Sequence, residues 1–214
     1  MPHDVTTHRR VASAFYDHAL RAVRDSGYPV IEMTDARQRG TGFGARFANA
    51  VADAFAQGYD QVLAVGSDCP RLHEVDWAAA AARLEEDTPV VGPTPDRDGT
   101  YLIGLTREQF DHSAFAALPW TTDALLPALE QYLRRRADTA PALLAPRDDV
   151  NGHADLLAVL APTTAAPTAL VAMLRRLLGA SRLPSAPRPP RSRRRGRCHR
   201  SRAPPVRGAA RPAG

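Results

Sequence analysis

Apolar positions follow two different spacings along the first 180 residues, and each spacing predicts a different kind of element. Apolar residues three or four positions apart predict amphipathic helices, whereas short unbroken apolar runs predict strands that are buried on both faces. The helical spacing covers residues 7–26, 47–57, 75–86, 122–136 and 153–178. The apolar runs cover residues 28–33, 61–66, 88–92, 100–105 and 142–146.

The alternation of these segments along the chain predicts an α/β fold. The strands lack a clean apolar–polar alternation, which is typical of a sheet covered on both faces. In such folds ligands bind beyond the carboxyl ends of the strands. Residues that directly follow a predicted strand are therefore the first place to search for chemistry.

Charge is distributed unevenly, and this changes the meaning of the formal net charge of +5. Residues 181–214 contain eleven Arg, seven Pro and no acidic residue, with no helical or strand period. The remaining 180 residues carry 17 Arg against 23 Asp and Glu, a net charge of −6. We therefore predict a folded domain over 1–180 and a disordered tail over 181–214.

The tail permits two interpretations. An Arg-rich arm can bind nucleic acid or an anionic membrane. The chain contains no Lys, however, and enrichment in Arg, Ala and Pro is what GC-rich codons produce. We favour an incidental extension over a nucleic-acid-binding arm.

The number of cysteines and the hydropathy of the chain argue against a disulfide-rich secreted protein and against a membrane protein. The two cysteines, Cys69 and Cys198, argue against a disulfide framework and against a cysteine zinc site. No apolar run approaches the roughly 18 residues of a membrane span. Residues 1–10 have no signal-peptide core. We expect a cytoplasmic protein without a transmembrane segment.

The stretch "QVLAVGSDCP" places Asp68 directly after a predicted strand. Asp68 could cap the helix that follows, or it could bind a metal ion. Cys69 is a weaker candidate for a nucleophile, because no His–Asn or His–Asp partner set is recognisably spaced around it.

A second acidic cluster, "PRDDVNGHADL", follows the last predicted strand and offers Asp148, Asp149 and Asn151. Carboxylate and amide oxygens are ligands for Mg²⁺ or Mn²⁺, and such an ion could carry a diphosphate. Asp149 or Asn151 could instead cap a helix. If two oxygen-bearing loops meet at one end of the sheet, a divalent metal site results.

Three further segments contain weaker candidates. The loop "PTPDRDGTYLIG" carries Asp96 and Asp98 before Gly99 and Tyr101. In "LPWTTD", Trp120 could stack on a sugar or lie in the core, and Thr121 and Thr122 could cap a helix. In the Gly-rich loop "DARQRGTGFG", Arg39 could face phosphates.

These motifs, in this order, resemble a bacterial family of glycosyltransferase-A-like (GT-A) proteins of unassigned substrate. The similar stretches are "QRGTGFGARFANA", "VLAVGSDCPRL", "VVGPTPDRDGTYLIGL", "LPWTTDALL" and "DDVNGHADL". The similarity spans roughly residues 9 to 160. It implies a nucleotide-diphospho-sugar transferase fold with three α/β/α layers, a mostly parallel sheet and a ligand site at the strand ends.

The resemblance also implies roles for individual residues. It makes Asp68, with Gly66 and Ser67 beside it, the metal-binding end of the central strand, and places a second ligand at Asn151, with Asp149 adjacent. By the same resemblance, donor sugar or acceptor would be faced by Gly99, Tyr101, Trp120, Thr121 and Thr122. Asp96 or Asp98 would stand in place of the aspartate of a "DGG" motif.

The chain departs from the family pattern at three points. The family opens with a strand and a nucleotide-contacting loop, whereas this chain starts at the first helix. The family's "DGG" is "DRDGT" here, so that either Asp96 or Asp98 takes the aspartate's place. Its closing "DVD" is "DVN", in which the neutral Asn151 replaces a carboxylate.

The expected function is metal-dependent transfer of a sugar from a nucleotide-sugar donor to a small-molecule or lipid-linked acceptor. The ion on Asp68 would neutralise the diphosphate leaving group, with Asp96, Asp98 and Asp149 as candidate bases. One alternative is nucleotidyl transfer in the same fold. Another is a degenerate, non-catalytic protein that binds a nucleotide or a partner.

Overall fold

The computed structural model describes residues 5–95 and 99–179. Seven α-helices occur in these residues: α1 (Val5–Arg24), α2 (Phe43–Ala56), α3 (Trp77–Glu85), α4 (His112–Ala116), α5 (Leu125–Arg134), α6 (His153–Leu160) and α7 (Thr168–Leu177). Four strands form the sheet: β1 (Gln61–Val65), β2 (Val90–Pro93), β3 (Thr100–Thr106) and β4 (Ala142–Leu143). A 3₁₀ turn, Leu72–Glu74, precedes α3.

The predicted helices all form, and four of the five predicted strands form. The α/β class is therefore confirmed. The short α4 and the 3₁₀ turn were not predicted, because elements of five and three residues are too short to show a period. None of the described helices is both long and apolar enough to cross a bilayer.

The sheet is mixed, and the expectation of a mostly parallel sheet is wrong. Its strand order is β1-β3-β2-β4. β3 pairs antiparallel with β1 on one side and with β2 on the other, and only β2 and β4 pair in parallel. The connection from β2 to β3 is too short for the helical crossover that a parallel pair requires.

The strand predicted at residues 28–33 is absent. The segment lies beside α1, where the Glu32 carboxylate accepts hydrogen bonds from the Tyr16 hydroxyl (2.6 Å) and Arg24 (2.7 Å). No strand of the described sheet pairs with it. Strand-forming residues need a neighbouring ladder, so local propensity alone does not make a strand here.

Apolar residues on alternate sides of the strands build two core clusters on opposite faces of the sheet. Val91 and Ile103 pack with residues of α2 and α5 on one face. Val90 and Leu102 pack with residues of α1 and α3 on the other. A third cluster joins α1 to α6 and α7. The two central strands, β2 and β3, are thereby buried on both faces, whereas the outer strands β1 and β4 are partly exposed.

Candidate functional site

The strand directions bring Asp68 and Asp149 to the same edge of the sheet. β1 and β2 both run antiparallel to β3, and β4 runs parallel to β2, so β1, β2 and β4 share one direction. Asp68 follows the carboxyl end of β1, and Asp149 follows the carboxyl end of β4. The two oxygen-bearing loops therefore lie at the same end of the sheet, which is the arrangement that the sequence left open as a possibility.

A backbone hydrogen bond fastens these two loops together. The amide of Val150 donates to the carbonyl oxygen of Asp68 at 3.0 Å. Gly99, the first described residue before β3, also lies at this edge: a Cβ placed on it would be 3.9 Å from Oδ2 of Asp149. Three segments that are distant in sequence thus converge within a few ångströms.

Asp68 is a partly buried carboxylate that forms no ion pair with the residues that the structure describes. Burial raises the pKa of its carboxyl, its own backbone N–H opposes the rise, and the nearby Asp149 carboxylate adds to it. Neither Asp68 nor Asp149 forms an ion pair with any residue in the described part of the chain. Two like charges held together without a counter-charge favour the binding of a cation.

Helix capping does not explain either acidic cluster. Asp76 caps α3, because its carboxylate accepts the backbone N–H of Ala79 at 2.9 Å. Asp155 reaches back from α6, and its Oδ2 accepts the N–H groups of Asn151 (3.0 Å) and Gly152 (2.9 Å). The carboxylate of Asp149 and the side-chain amide of Asn151 are left out of these caps.

The neighbouring residues differ in exposure. Asp149 is partly buried, whereas Asp148 and Asn151 are exposed. The Asn151 side chain makes no hydrogen bond with the residues that the structure describes. Asp149 is therefore the closest partner of Asp68, and Asn151 offers an amide oxygen at the outer rim.

Cys69 is a packing residue. Its side chain is fully buried in the cluster that joins α1 and α3 to the sheet. Burial raises the pKa of its thiol from 9.0 to about 11, so the thiolate that a nucleophile requires is disfavoured.

Gly99 and Thr94 close the base of the loop that contains two of the predicted acidic residues. The Gly99 amide donates to the Thr94 hydroxyl (3.0 Å), and the Thr94 amide donates to the Gly99 carbonyl (3.1 Å). Asp96 and Asp98 lie outside the described residues, so their roles stay predictions.

Two of the predicted sugar-facing residues lie in the core. Tyr101 is 2% exposed, its hydroxyl donates to the carbonyl of Ala145 (3.0 Å), and its ring lies against Gly92. Trp120 is 8% exposed, and its indole N–H donates to the carbonyl of Phe115 (2.9 Å). Through its hydrogen bond to Ala145, Tyr101 contacts the loop after β4. Trp120 packs against aromatic residues of α2.

The remaining candidates are exposed. Thr121 has a φ of 64°, a left-handed conformation that is rare for a β-branched residue. The Thr121 hydroxyl donates a hydrogen bond to the Trp120 carbonyl, and the Thr122 hydroxyl donates one to the Pro119 carbonyl. Neither side chain therefore caps α5, which begins at Leu125. Ser67 is exposed beside Asp68.

Arg39 is exposed but already has an ionic partner. Its guanidinium pairs with Asp53 on α2, and its carbonyl oxygen accepts a hydrogen bond from the side chain of Asn49. The structure thus holds Arg39 against α2. A phosphate would have to compete with Asp53 for it.

The sequence did not single out Arg147 and Glu74. Arg147 is buried, and it donates to Oε2 of Glu74 at 2.6 Å. No local pattern links two residues 73 positions apart. The one signal in the sequence is that Arg147 is a basic residue directly before the acidic residues Asp148 and Asp149.

The side chains at this edge offer oxygen atoms that can serve as ligands for a divalent cation. No group of three or more His, Cys, Asp or Glu side chains clusters as a metal site within residues 5–95 and 99–179. Two carboxylates and one amide oxygen are ligands of the kind that bind Mg²⁺ or Mn²⁺. Surface concavities of about 580 and 460 Å³ lie away from this edge, along α5 and between residues 31–37 and α2.

Comparisons with known proteins agree with the fold. A family model described as "Uncharacterized protein conserved in bacteria (DUF2064)" matches residues 10–122, a range that contains Asp68 but not Asp149. No curated protein matches the chain. A crystal structure of a "putative nucleotide-diphospho-sugar transferase" from Desulfovibrio desulfuricans G20 is 25% identical, with a TM-score of 0.56, over 77% of this chain and 82% of that chain. The fold is similar to that of this putative nucleotide-diphospho-sugar transferase. Since the family model covers more than half of the residues of this chain, the chain belongs to the DUF2064 family.

Proposed function

We propose that this protein is a metal-dependent glycosyltransferase that uses a nucleotide-sugar donor. The observation that carries the proposal is the pair of carboxylates, Asp68 and Asp149, which lie together at the strand ends and form no ion pair with any residue of 5–95 and 99–179. The similarity to a nucleotide-diphospho-sugar transferase supports the choice of donor.

Asp68, Asp149 and Asn151 are the residues that would hold Mg²⁺ or Mn²⁺. Hard oxygen ligands of this kind select these ions over softer metals. The bound ion would supply charge stabilisation for the diphosphate as it leaves. Because Asn151 is neutral, the protein brings two negative charges to the site, and the diphosphate of the donor contributes the rest.

The proposed reaction is a substitution at the anomeric carbon of the donor sugar. An acceptor hydroxyl forms the new C–O bond while the bond between the anomeric carbon and the diphosphate oxygen breaks. The hydroxyl proton passes to a base, for which Asp149, Asp96 and Asp98 are candidates. Two exposed residues are candidates for donor contacts: Ser67, which precedes Asp68, and Thr121, which follows Trp120.

A thermal-shift experiment tests the proposal. The full chain is melted with UDP-, GDP- and ADP-sugars, each with and without Mn²⁺. At ligand concentrations near 100 times Kd we expect a metal-dependent gain of about 2.7 kcal/mol, which is roughly 5–10 °C for a domain of this size. Asp68→Ala should abolish the gain.

The control is Asp138→Ala, which removes an exposed carboxylate that precedes the amino end of β4, whereas Asp149 follows its carboxyl end. It should keep the full gain. Absence of any metal-dependent gain in the wild type, or its survival in Asp68→Ala, would overturn the proposal. A gain with nucleoside triphosphates but with no nucleotide-sugar would favour the nucleotidyltransferase alternative.

A further inference from the structure

Arg147 occupies an unusual position for a charged residue. It is 7% exposed, and no other Arg, Asp or Glu side chain within residues 5–95 and 99–179 is buried to that extent. Charged side chains are rarely buried so fully unless they are paired. Arg147 donates to Oε2 of Glu74 (2.6 Å) and to its carbonyl oxygen (2.8 Å).

The need to neutralise Glu74 does not explain this burial. Arg71 already binds both carboxylate oxygens of Glu74, at 2.9 and 2.7 Å, from a partly exposed position. The buried Nε of Arg147 has no hydrogen-bond partner, which adds to the cost of burying the guanidinium. A buried pair of this kind is weak evidence for stability by itself. We therefore ask which segment of the chain the Arg147–Glu74 pair holds in position.

Arg147 is joined to the loop that carries Asp149. The backbone N–H of Arg147 donates to the Pro93 carbonyl at the end of β2 (3.1 Å). Three residues later, the Val150 amide donates to the Asp68 carbonyl after β1 (3.0 Å). Residues 148 and 149 are thus stretched between two strand ends. The buried guanidinium adds two side-chain hydrogen bonds to Glu74 on one side of them, and the Val150 side chain packs against the cluster of α1, α6 and α7 on the other.

We propose that Arg147 is a positioning residue that, through Glu74, fixes the loop after β4 so that the Asp149 carboxylate stands beside Asp68. The inference rests on the proposed function for the metal that these two carboxylates hold. It concerns a residue that touches neither metal nor donor.

Positioning and simple electrostatics predict opposite effects when the Arg147 charge is removed. A positive charge near a cation site repels the cation, so its removal should by Coulomb's law alone tighten metal binding. If Arg147 instead sets the geometry of Asp149, its removal should weaken metal binding. The sign of the change therefore separates the two roles.

The test uses the full chain with Arg147→Met, which keeps the length of the side chain, and Arg147→Lys, which keeps the charge. Arg71→Met is the matched control, because it removes the other Arg bound to Glu74 but no hydrogen bond to the loop after β4 among the described residues. The first measurement is amide hydrogen exchange at Val150 without metal. The second is the Mn²⁺ dissociation constant, for each variant alone and combined with Asp149→Asn.

Both Arg147 variants should exchange the Val150 amide at least about tenfold faster than the wild type, since exchange reports local opening. Their Mn²⁺ affinity should fall about 10–100-fold, as expected when a residue that orients a ligand is lost. In the Asp149→Asn background the loss should disappear, because the two residues act as one unit. Arg71→Met should leave both measurements close to wild type.

Two results would overturn the inference: unchanged Val150 exchange in Arg147→Met and Arg147→Lys, or losses of Mn²⁺ affinity that add independently to that of Asp149→Asn. If the wild type itself binds no Mn²⁺, the proposed function fails. The exchange measurement then still decides whether Arg147 holds the loop.

Discussion

Gly66 lies so close to Asp68 that a Cβ atom at position 66 would be 2.6 Å from Oδ1 of the Asp68 carboxylate. Gly66 continues the β1 ladder, since its amide donates to the Tyr101 carbonyl (3.1 Å). Its backbone therefore does not need glycine for its conformation. The absence of a side chain leaves room for the carboxylate to turn towards Asp149.

Gly66→Ala should for this reason impair metal binding more than folding. The Asp68 carboxylate can rotate away, so the free energy of unfolding should fall by no more than about 1 kcal/mol. The Mn²⁺ dissociation constant should rise about tenfold or more, because the ligand leaves its position. Isothermal titration with Mn²⁺ and urea denaturation measure the two effects.

Gly152→Ala is the control for Gly66→Ala. A Cβ there would be 3.8 Å from the nearest side-chain atom, an ordinary contact, in a similar extended backbone. It should leave Mn²⁺ affinity unchanged. Equal effects of the two substitutions would mean that the Asp68 carboxylate does not need the space beside Gly66.

Asp148 and Asp149 allow a comparison between adjacent carboxylates. Asp149 is partly buried and near Asp68, whereas Asp148 is exposed. Asp149→Asn should lower Mn²⁺ affinity by at least about tenfold, because the charge of the ligand set governs affinity for hard cations. Asp148→Asn, with the same change in net charge, should alter it by less than about threefold. Similar losses in both variants would indicate general electrostatic attraction in place of a specific site.

Asp68→Asn should stabilise the protein when no metal is present. The substitution removes a partly buried carboxylate from beside Asp149, and an amide N–H can then donate to Asp149. A gain of about 1 kcal/mol would raise the melting temperature by roughly 2–4 °C in EDTA. With saturating Mn²⁺ the order should reverse, since only the wild type gains from binding. A lower melting temperature for Asp68→Asn in EDTA would show that a protein group already compensates the carboxylate.

The sequence predicted most of the elements and left the meeting of the two acidic loops open, but it did not predict that the sheet is mixed. Apolar runs such as 88–92 and 100–105 look alike in parallel and antiparallel sheets. The connection between these two runs contained the missing information, because a parallel crossover needs a dozen or more residues. Strand direction was thus available from loop length, although not from periodicity.

Other features depend on contacts that no local pattern encodes. Residues 28–33 have strand-forming side chains but find no ladder in the described sheet, and Glu32 bonds to α1 instead. The burial of Arg147, which follows β4, depends on its ion pair with Glu74 in the turn after β1. Trp120 and Tyr101 resemble ligand-facing aromatics in sequence, yet their polar atoms donate to carbonyls of the core.

The Glu74 carboxylate predicts how stability changes with acid. Hydrogen bonds from Arg71, and then from Arg147, lower the pKa of Glu74 from 4.5 to about 2. The unfolded chain therefore takes up this proton at a higher pH than the folded protein does. The stabilisation is fully present above about pH 4.5 and is lost as the pH falls towards 2.

Glu74→Gln should remove that part of the pH dependence. Urea denaturation from pH 7 to pH 2.5 should give a wild-type free energy of unfolding that exceeds that of Glu74→Gln at neutral pH and approaches it in acid. Other carboxylates affect both proteins equally, so the difference between the two curves isolates Glu74. A difference that stays constant between pH 5 and pH 3 would contradict the assignment of the shift to Glu74.

Thr121 stores backbone strain beside the buried Trp120. Its φ of 64° is a conformation that costs a β-branched residue about 1–3 kcal/mol. Glycine adopts it freely, although it also gains entropy in the unfolded chain. Thr121→Gly should therefore raise the free energy of unfolding by about 1 kcal/mol, which is roughly 2–4 °C in melting temperature.

Thr122→Gly is the matched substitution, because Thr122 has no positive φ and its hydroxyl bonds the Pro119 carbonyl at 2.7 Å. It should lower the melting temperature. If Thr121 also contacts the donor, Thr121→Gly will weaken the Mn²⁺-dependent shift with nucleotide-sugar while it stabilises the free protein. Destabilisation by Thr121→Gly would show that the Thr121 side chain contributes more to the fold than its backbone strain costs.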